Sequence, residues 1–358
     1  MTRTDATPTP RLISIGTANP GQRYTQEEVI EKFGVTDKRI KRLFTNSHIK
    51  TRYLSLSQSI DAAGTQCPPD ESSLQLREKH LTHALEAGEL AIQSALADAS
   101  LSARDIDYIA VVTSTGFLCP GLSAHLIKRL GMRVDIGRID IIGMGCNAGL
   151  NGMQSVVNYC KVNPGKKGLL LCVEICSAAY VFDETMRTSV VNSLFGDGAA
   201  AAIFCSRSAY TSDRGPAILE FESHIVPDAI DAMRFDFDGS KHSFYLDADI
   251  PYVIGTHFET PVRALLKRFN LGTRDISHWI IHSGGRKVID SIKYNIGLSG
   301  HDVRHTESVL QDFGNLSSGS FLFSHRRLLD EQSARQDEYV LMATMGPGAT
   351  IECCLGRF

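Results

Sequence analysis

The sequence predicts an α/β fold built twice, and three observations carry the prediction. Val111-Val112, Leu169 to Val173 and Ala199 to Phe204 are short apolar runs without alternation, as in strands covered on both faces. Between them lie longer amphipathic stretches of helical length, such as Leu81 to Leu96. An offset of 169 residues then places Thr113-Ser114-Thr115-Gly116 on His282-Ser283-Gly284-Gly285, Gly131 on Gly300, Gly145 on Gly314 and Cys146 on Asn315. Each half thus reads as strand, small-residue turn and helix.

Along the chain, the polar stretch Ser57 to Ser73 reads as an exposed loop. Ile139-Asp140-Ile141-Ile142 is strand-like and runs into Gly143-Met144-Gly145-Cys146-Asn147-Ala148-Gly149, after which Leu150-Asn151-Gly152-Met153-Gln154 is helix-like. Ser206 to Gly215 carries Ser, Asp and Gly and is the expected linker, so the halves are placed at residues 1–210 and 211–358. Gly196-Asp197-Gly198-Ala199 and Gly346-Pro347-Gly348-Ala349 are turns of the same kind, matched only if the second half is shorter between its turns.

Composition bounds the function. With 43% hydrophobic residues in 358, the chain can bury a large core. A formal net charge of −3 gives no bulk attraction to nucleic acid or an anionic membrane, so neither is expected as a partner. The polar start, Met1-Thr2-Arg3-Thr4-Asp5, lacks the apolar core of a signal peptide, and no run of about eighteen apolar residues occurs. A cytoplasmic setting is therefore expected. The nine cysteines are scattered without metal-ligand spacing, and those inside strand-like runs read as small buried hydrophobes. His301 and His305 have the i, i+4 spacing of a zinc helix but lack the accompanying Glu, so no metal is expected.

Cys146 is the candidate nucleophile. Small neighbours let the backbone turn tightly and leave space above the sulfur, while the free N–H groups of the following helix favour a thiolate. His282 and Asn315 stand at turns of the second half. An imidazole within reach of the sulfur would give a thiolate–imidazolium pair, and the His282 N–H with the Asn315 side-chain amide could donate to a thioester oxygen as it becomes an enolate. Each alone also reads blandly, His282 as a core histidine and Asn315 as a helix cap. Gly143-x-Gly145-x-x-Ala148 also matches a dinucleotide fingerprint, with Glu174 as the ribose-binding acid; Cys146 in the turn and the position of Glu174, 26 residues past Ala148, count against it.

On Gly145-Cys146-Asn147-Ala148-Gly149, Ser193-Leu194-Phe195-Gly196-Asp197-Gly198, His282-Ser283-Gly284-Gly285, Gly314-Asn315-Leu316-Ser317-Ser318 and Gly346-Pro347-Gly348, the sequence resembles a thiolase-fold condensing enzyme. More narrowly it resembles the type III polyketide synthases of the chalcone synthase superfamily, from about Ile13 onward. The runs Cys176-Ser177-Ala178-Ala179-Tyr180, Thr185-Met186-Arg187-Thr188 and Asp231-Ala232-Met233-Arg234 are similar to the subgroup of bacterial 3,5-dihydroxyphenylacetyl-CoA synthases.

The resemblance implies a homodimer of layered αβαβα architecture that condenses four malonyl-CoA units and cyclises the chain to 3,5-dihydroxyphenylacetyl-CoA. It implies no cofactor beyond coenzyme A thioester substrates, with enoyl-CoA hydratase-like helpers for dehydration. Cys146 would carry the growing chain, and His282 with Asn315 would promote decarboxylation. Phe195 would gate the passage from tunnel to cavity, Gly346-Pro347-Gly348 would wall the sulfur, and Glu174, Cys176, Ala178 and Ala179 would line the cavity. Lys50 and Arg52 would meet the coenzyme A phosphates, or form a solvated basic face. Cys119 stands where the family sends a loop to the partner's cavity, or is incidental packing. Two rivals remain: another type III synthase making an alkylresorcinol, a pyrone or tetrahydroxynaphthalene, and a condensing enzyme fed by acyl carrier protein.

Overall fold

The structure, a computed structural model, describes residues 9–59, 67–206, 215–237 and 241–358. The first half contains β1 (Arg11–Ala18), β2 (Gln22–Thr25), α1 (Gln26–Lys32), α2 (Lys38–Thr45), β3 (Thr51–Leu54), α3 (Ser73–Asp98), β4 (Tyr108–Thr113), α4 (Leu122–Arg129), β5 (Gly137–Ile142), α5 (Ala148–Val162), β6 (Lys167–Glu174), α6 (Met186–Leu194) and β7 (Gly198–Cys205). The second contains β8 (Ala217–Ile225), β9 (Met233–Phe237), β10 (His242–Leu246), α7 (Ile250–Lys267), β11 (Ile276–Ile281), α8 (Arg286–Ile296), α9 (Arg304–Phe313), α10 (Ser320–Glu331), β12 (Tyr339–Gly346) and β13 (Thr350–Arg357). The expected loop at Ser57–Ser73 and the linker at Ser206–Gly215 fall partly on residues 60–66 and 207–214, and the boundary at 210/211 falls wholly there, outside the described residues.

Strand pairing repeats between the halves. The first half runs β1-β7-β6-β4-β5 across its sheet and the second runs β8-β13-β12-β11, so β1, β7, β6 and β4 have counterparts in the same order. The half-sheets meet at β1 and β8, where Arg11 pairs Ala217. Continuous apolar runs become strands buried on both faces, and alternation sorts their side chains into separate cores. Leu169, Leu171 and Val173 of β6 pack outward against α3, whereas Leu170 and Cys172 point inward. On β12, Leu341 and Ala343 pack outward with α7 and α8, whereas Val340 and Met342 point inward. The inner core holds α5 and α10 between both half-sheets. The order helix, sheet, helix, sheet, helix is the predicted five-layered αβαβα architecture.

The repeat offset is not constant. β4 begins at Tyr108 and β11 at Ile276, an offset of 168, but the turn Gly145–Asn147 leading into α5 corresponds to the turn Ser317–Gly319 leading into α10, an offset of 172. The counterpart of Cys146 is therefore Ser318, and Asn315 stands three residues ahead of it. Sliding a sequence rigidly cannot show a slip inside a loop. The pair Gly196–Ala199 and Gly346–Ala349 does precede the last strand of each half, with α6 inserted only in the first.

Candidate active site

The reactive turns gather where strands end, as ligand sites in α/β sheets do. Gly143 and Gly145 have φ of 83° and 72°, a region that disfavours side chains. A Cβ on Gly145 would lie 2.3 Å from Pro347 Cδ, and one on Gly346 2.2 Å from Asn147 Oδ1. Pro347 and Gly346 thus back directly onto the nucleophile turn, as expected of a wall behind the sulfur, while Gly348 supplies the left-handed bend at φ 76° beyond them. The Gly145 N–H donates to Ser114 Oγ at 2.9 Å, fixing the turn to the end of β4.

Cys146 is 8% exposed, and its thiol donates to Ser317 Oγ at 3.5 Å. Burial pushes this thiol up to about 12, against the pull of hydrogen bonds from Ser317 and Asn315, and the charge of Glu174 pushes the same way as burial. His282 follows β11 and is buried; burial lowers its imidazole to about 3. Burial thus works against the expected thiolate–imidazolium pair, raising the thiol and lowering the imidazole. No hydrogen bond joins the two among the described residues, and His282 Nδ1 is without a partner there.

Cys146, His282 and Asn315 line one cavity of about 540 Å³. Asn315 is held tightly: its Oδ1 accepts from the Ser317 N–H at 2.8 Å and its Nδ2 donates to the Gly284 carbonyl at 3.3 Å. A nucleophile and two donors therefore share a mostly apolar space, which suits stabilisation of charge developing on a thioester oxygen.

Phe195 lies at the junction expected of it. It lines both this cavity and an inner chamber of about 30 Å³ that also touches Cys146, Cys176, Ala179, Phe235 and Ser317. Phe244 on β10 also lines both and meets Phe195 edge-on at 5.7 Å, a partner the sequence reading missed. Its signal was the alternation of His242 to Leu246.

Three expectations are corrected. Arg52 is fully buried and donates to Gln26 Oε1, the Tyr180 hydroxyl and the carbonyls of Asn192 and Phe195, so it anchors the gate segment and cannot meet a coenzyme A phosphate. Glu174 is fully buried beneath the turn, where it accepts from the Ser114 N–H, Thr115, Ser317 and Ser318; burial raises its carboxyl. Ala178 packs in the outer core with α3: in the tight turn Cys176–Ala179, residues three apart share a side, so Cys176 and Ala179 face the chamber and Ala178 does not.

Lys50 is exposed and lines neither cavity; the cations at the large cavity are Arg42, Arg286 and Lys287. Arg42 belongs to the cation-rich run Lys38-Arg39-Ile40-Lys41-Arg42, a signal left unused. Cys119 is exposed and lines neither cavity of its own chain. Among the described residues no group of three or more His, Cys, Asp or Glu could hold a metal ion, and no helix is long and apolar enough to cross a membrane.

Comparison with known proteins gives the family. Residues 2–208 match the N-terminal domain of chalcone and stilbene synthases, and residues 219–357 their C-terminal domain. The 3,5-dihydroxyphenylacetyl-CoA synthase of Streptomyces toyocaensis is 48% identical over 353 residues, covering 97% of this chain and 90% of that one. The 1,3,6,8-tetrahydroxynaphthalene synthase of Streptomyces peucetius subsp. caesius is 31% identical, covering 97% and 93%. The crystal structure of PKS-I from the brown alga Ectocarpus siliculosus superposes with a TM-score of 0.89 at 27% identity, covering 99% of this chain and 100% of that one. With both halves of the family matched and the nucleophile, imidazole and amide in one cavity, the chain belongs to the chalcone and stilbene synthase family and is a type III polyketide synthase, an acyltransferase of the condensing type.

Proposed function

We propose that this synthase condenses four malonyl-CoA units and cyclises the resulting chain to 3,5-dihydroxyphenylacetyl-CoA. The observation that carries the product is the 48% identity over 353 residues to a synthase of that name. The observation that supports the chemistry is the shared cavity of Cys146, His282 and Asn315.

In this reading a coenzyme A thioester enters the large cavity with its phosphates toward Arg42, Arg286 and Lys287. Cys146 Sγ attacks the acyl carbon, its proton passing to the His282 imidazole and on to the departing sulfur, so that the acyl–coenzyme A bond breaks and coenzyme A leaves as the thiol. A further malonyl-CoA loses carbon dioxide, and the enolate oxygen receives hydrogen bonds from His282 and Asn315 Nδ2; the carbanion then attacks the Cys146 thioester, the acyl–Sγ bond breaks to release the cysteine sulfur, and the lengthened chain is left on coenzyme A. The apolar walls at Phe195, Phe244 and Met345 exclude water that would quench the carbanion.

The halves at 1–210 and 211–358, a homodimer with Cys119 reaching the partner's cavity, dehydrating helper enzymes and a cytoplasmic setting belong to the same proposal. All nine cysteines are free, which suits a reducing compartment. Purified protein incubated with malonyl-CoA alone, with products identified by mass, tests it. Carbon dioxide release and a four-unit aromatic acyl-CoA are expected. A pyrone or tetrahydroxynaphthalene would keep the family chemistry and overturn the product.

A further inference from the structure

The chamber beyond Phe195 measures about 30 Å³, room for roughly two waters. An acyl chain of four two-carbon units has about twelve non-hydrogen atoms, several times what such a space admits. Holding the whole chain on this side of Phe195 requires a wall to retreat as the chain grows. The chamber's floor is the strand-end turns that carry Ser114, Thr115, Cys146, Cys176, Ala179 and Ser317, and Val191 and Phe195 at the end of α6 form one side; the remaining wall is the β9–β10 hairpin, whose strands pair only with each other among the described residues.

Alternation divides that hairpin. Phe235 and Phe244 are paired across it, with ring centroids 5.1 Å apart, and both line the chamber. Arg234, Asp236 and Tyr245 occupy the opposite face. There the Asp236 carboxylate accepts from Arg234 Nε at 2.8 Å and also from Arg187 Nη2. Arg187 and Arg234 both lie over the Tyr245 ring, 5.0 and 4.3 Å from its centroid. Arg187 sits in the first turn of α6, and the last turn of α6 runs into Phe195. A single exposed ion pair would hold little, but here two guanidinium groups share one carboxylate and one ring and tie two separate elements together. These arginines lie in Thr185-Met186-Arg187-Thr188 and Asp231-Ala232-Met233-Arg234, runs the chemistry leaves without a role.

Building on the polyketide reading above, we propose that Arg187 and Asp236 are positioning residues that clamp the outer face of the hairpin. They set how far Phe235 and Phe244 withdraw from Phe195, and through that the length and ring pattern of the product. Neither touches substrate.

The test compares full-length wild type with Asp236→Asn, Arg187→Ala and the exchanged pair Arg187→Asp with Asp236→Arg. Carbon dioxide release from malonyl-CoA is expected to stay within about two-fold of wild type in the single variants, because the reacting groups are untouched. The share of the wild-type product should fall several-fold in favour of other chain lengths or ring patterns, and recover in part in the exchanged pair. An unchanged product distribution in both single variants overturns the clamp. A readout independent of turnover is labelling of Cys146, mapped by mass, with iodoacetamide and with a bulky maleimide. The maleimide-to-iodoacetamide rate ratio should rise several-fold in Asp236→Asn, which keeps the side-chain shape; an unchanged ratio also overturns it. Wild type that releases no carbon dioxide from malonyl-CoA counts against the function reading alone, since the labelling ratio still decides the clamp.

Discussion

Phe195 and Asn315 are joined by a parallel backbone bridge between the two halves, with the Asn315 N–H donating to the Leu194 carbonyl and the Gly196 N–H to the Asn315 carbonyl, both at 2.9 Å. Phe195 and Asn315 are therefore fixed to one another through the main chain. Replacing the Asn315 side chain should leave Phe195 in place, while removing the amide donor and the acceptor of the Ser317 N–H. Asn315→Ala is expected to slow malonyl-CoA decarboxylation by about a hundred-fold, some 3 kcal/mol of barrier. Carbon dioxide release measures this, and a rate within a few-fold of wild type would refute the assignment.

Arg52 is expected to matter to stability. Arg52→Met strands Gln26 Oε1 and the Asn192 carbonyl without their buried donor, while the Phe195 carbonyl keeps the Tyr180 hydroxyl, at a cost of about 3 kcal/mol. Urea unfolding should show an earlier midpoint. Unchanged stability with a raised KM for the coenzyme A thioester would instead restore the phosphate-binding role expected from sequence.

Gly145→Ala should inactivate the enzyme. Its φ of 72° costs an alanine about 1–2 kcal/mol, and the new Cβ would meet Pro347 Cδ at 2.3 Å, so the turn that aims Cys146 must shift. Gly131→Ala is the control: φ is 61° but nothing lies within 4 Å of the new Cβ, so it should lose about 1 kcal/mol of stability and keep its activity. Equal activity losses in both variants would contradict the account.

Acid should destabilise the fold well before the carboxylates titrate. Burial lowers His80 to about 4 and His282 and His325 to about 3, all below the value of about 6.5 for an unfolded chain. Between those limits the unfolded state binds more protons, so stability is complete above about pH 6.5 and falls as pH drops toward the folded values. His325 is the cleanest probe, since both ring nitrogens lack partners among the described residues. Wild type should lose more stability from pH 7 to 5 than His325→Gln, by about 1–2 kcal/mol. Identical slopes in urea titrations at the two pH values would count against it.

Much of this was legible in the residues. Unalternating runs such as Leu169 to Val173 announced strands covered twice, and the repeat announced two halves, because side-chain periodicity and turn chemistry are local. Cys146, His282 and Asn315 could be chosen by type and by their place at turns. The direction of a side chain after a turn was not legible: Ala178 and Ala179 are neighbours of one kind, yet one meets α3 and the other the chamber.

Arg52 shows the same limit more sharply. A cation beside Lys50 reads as a surface charge until Gln26, Tyr180, Asn192 and Phe195, far away in the chain, close around it. Phe244 comes to line both cavities only because β10 folds back across α6 to meet Phe195. The sequence by itself determined the two-fold α/β plan and the choice of Cys146, His282 and Asn315 as candidates, since these rest on local pattern and residue chemistry. Only the tertiary structure decided the burial of Cys146, His282, Arg52 and Glu174 and the size of the chamber, because desolvation and shape arise from residues distant in the chain and adjacent in space.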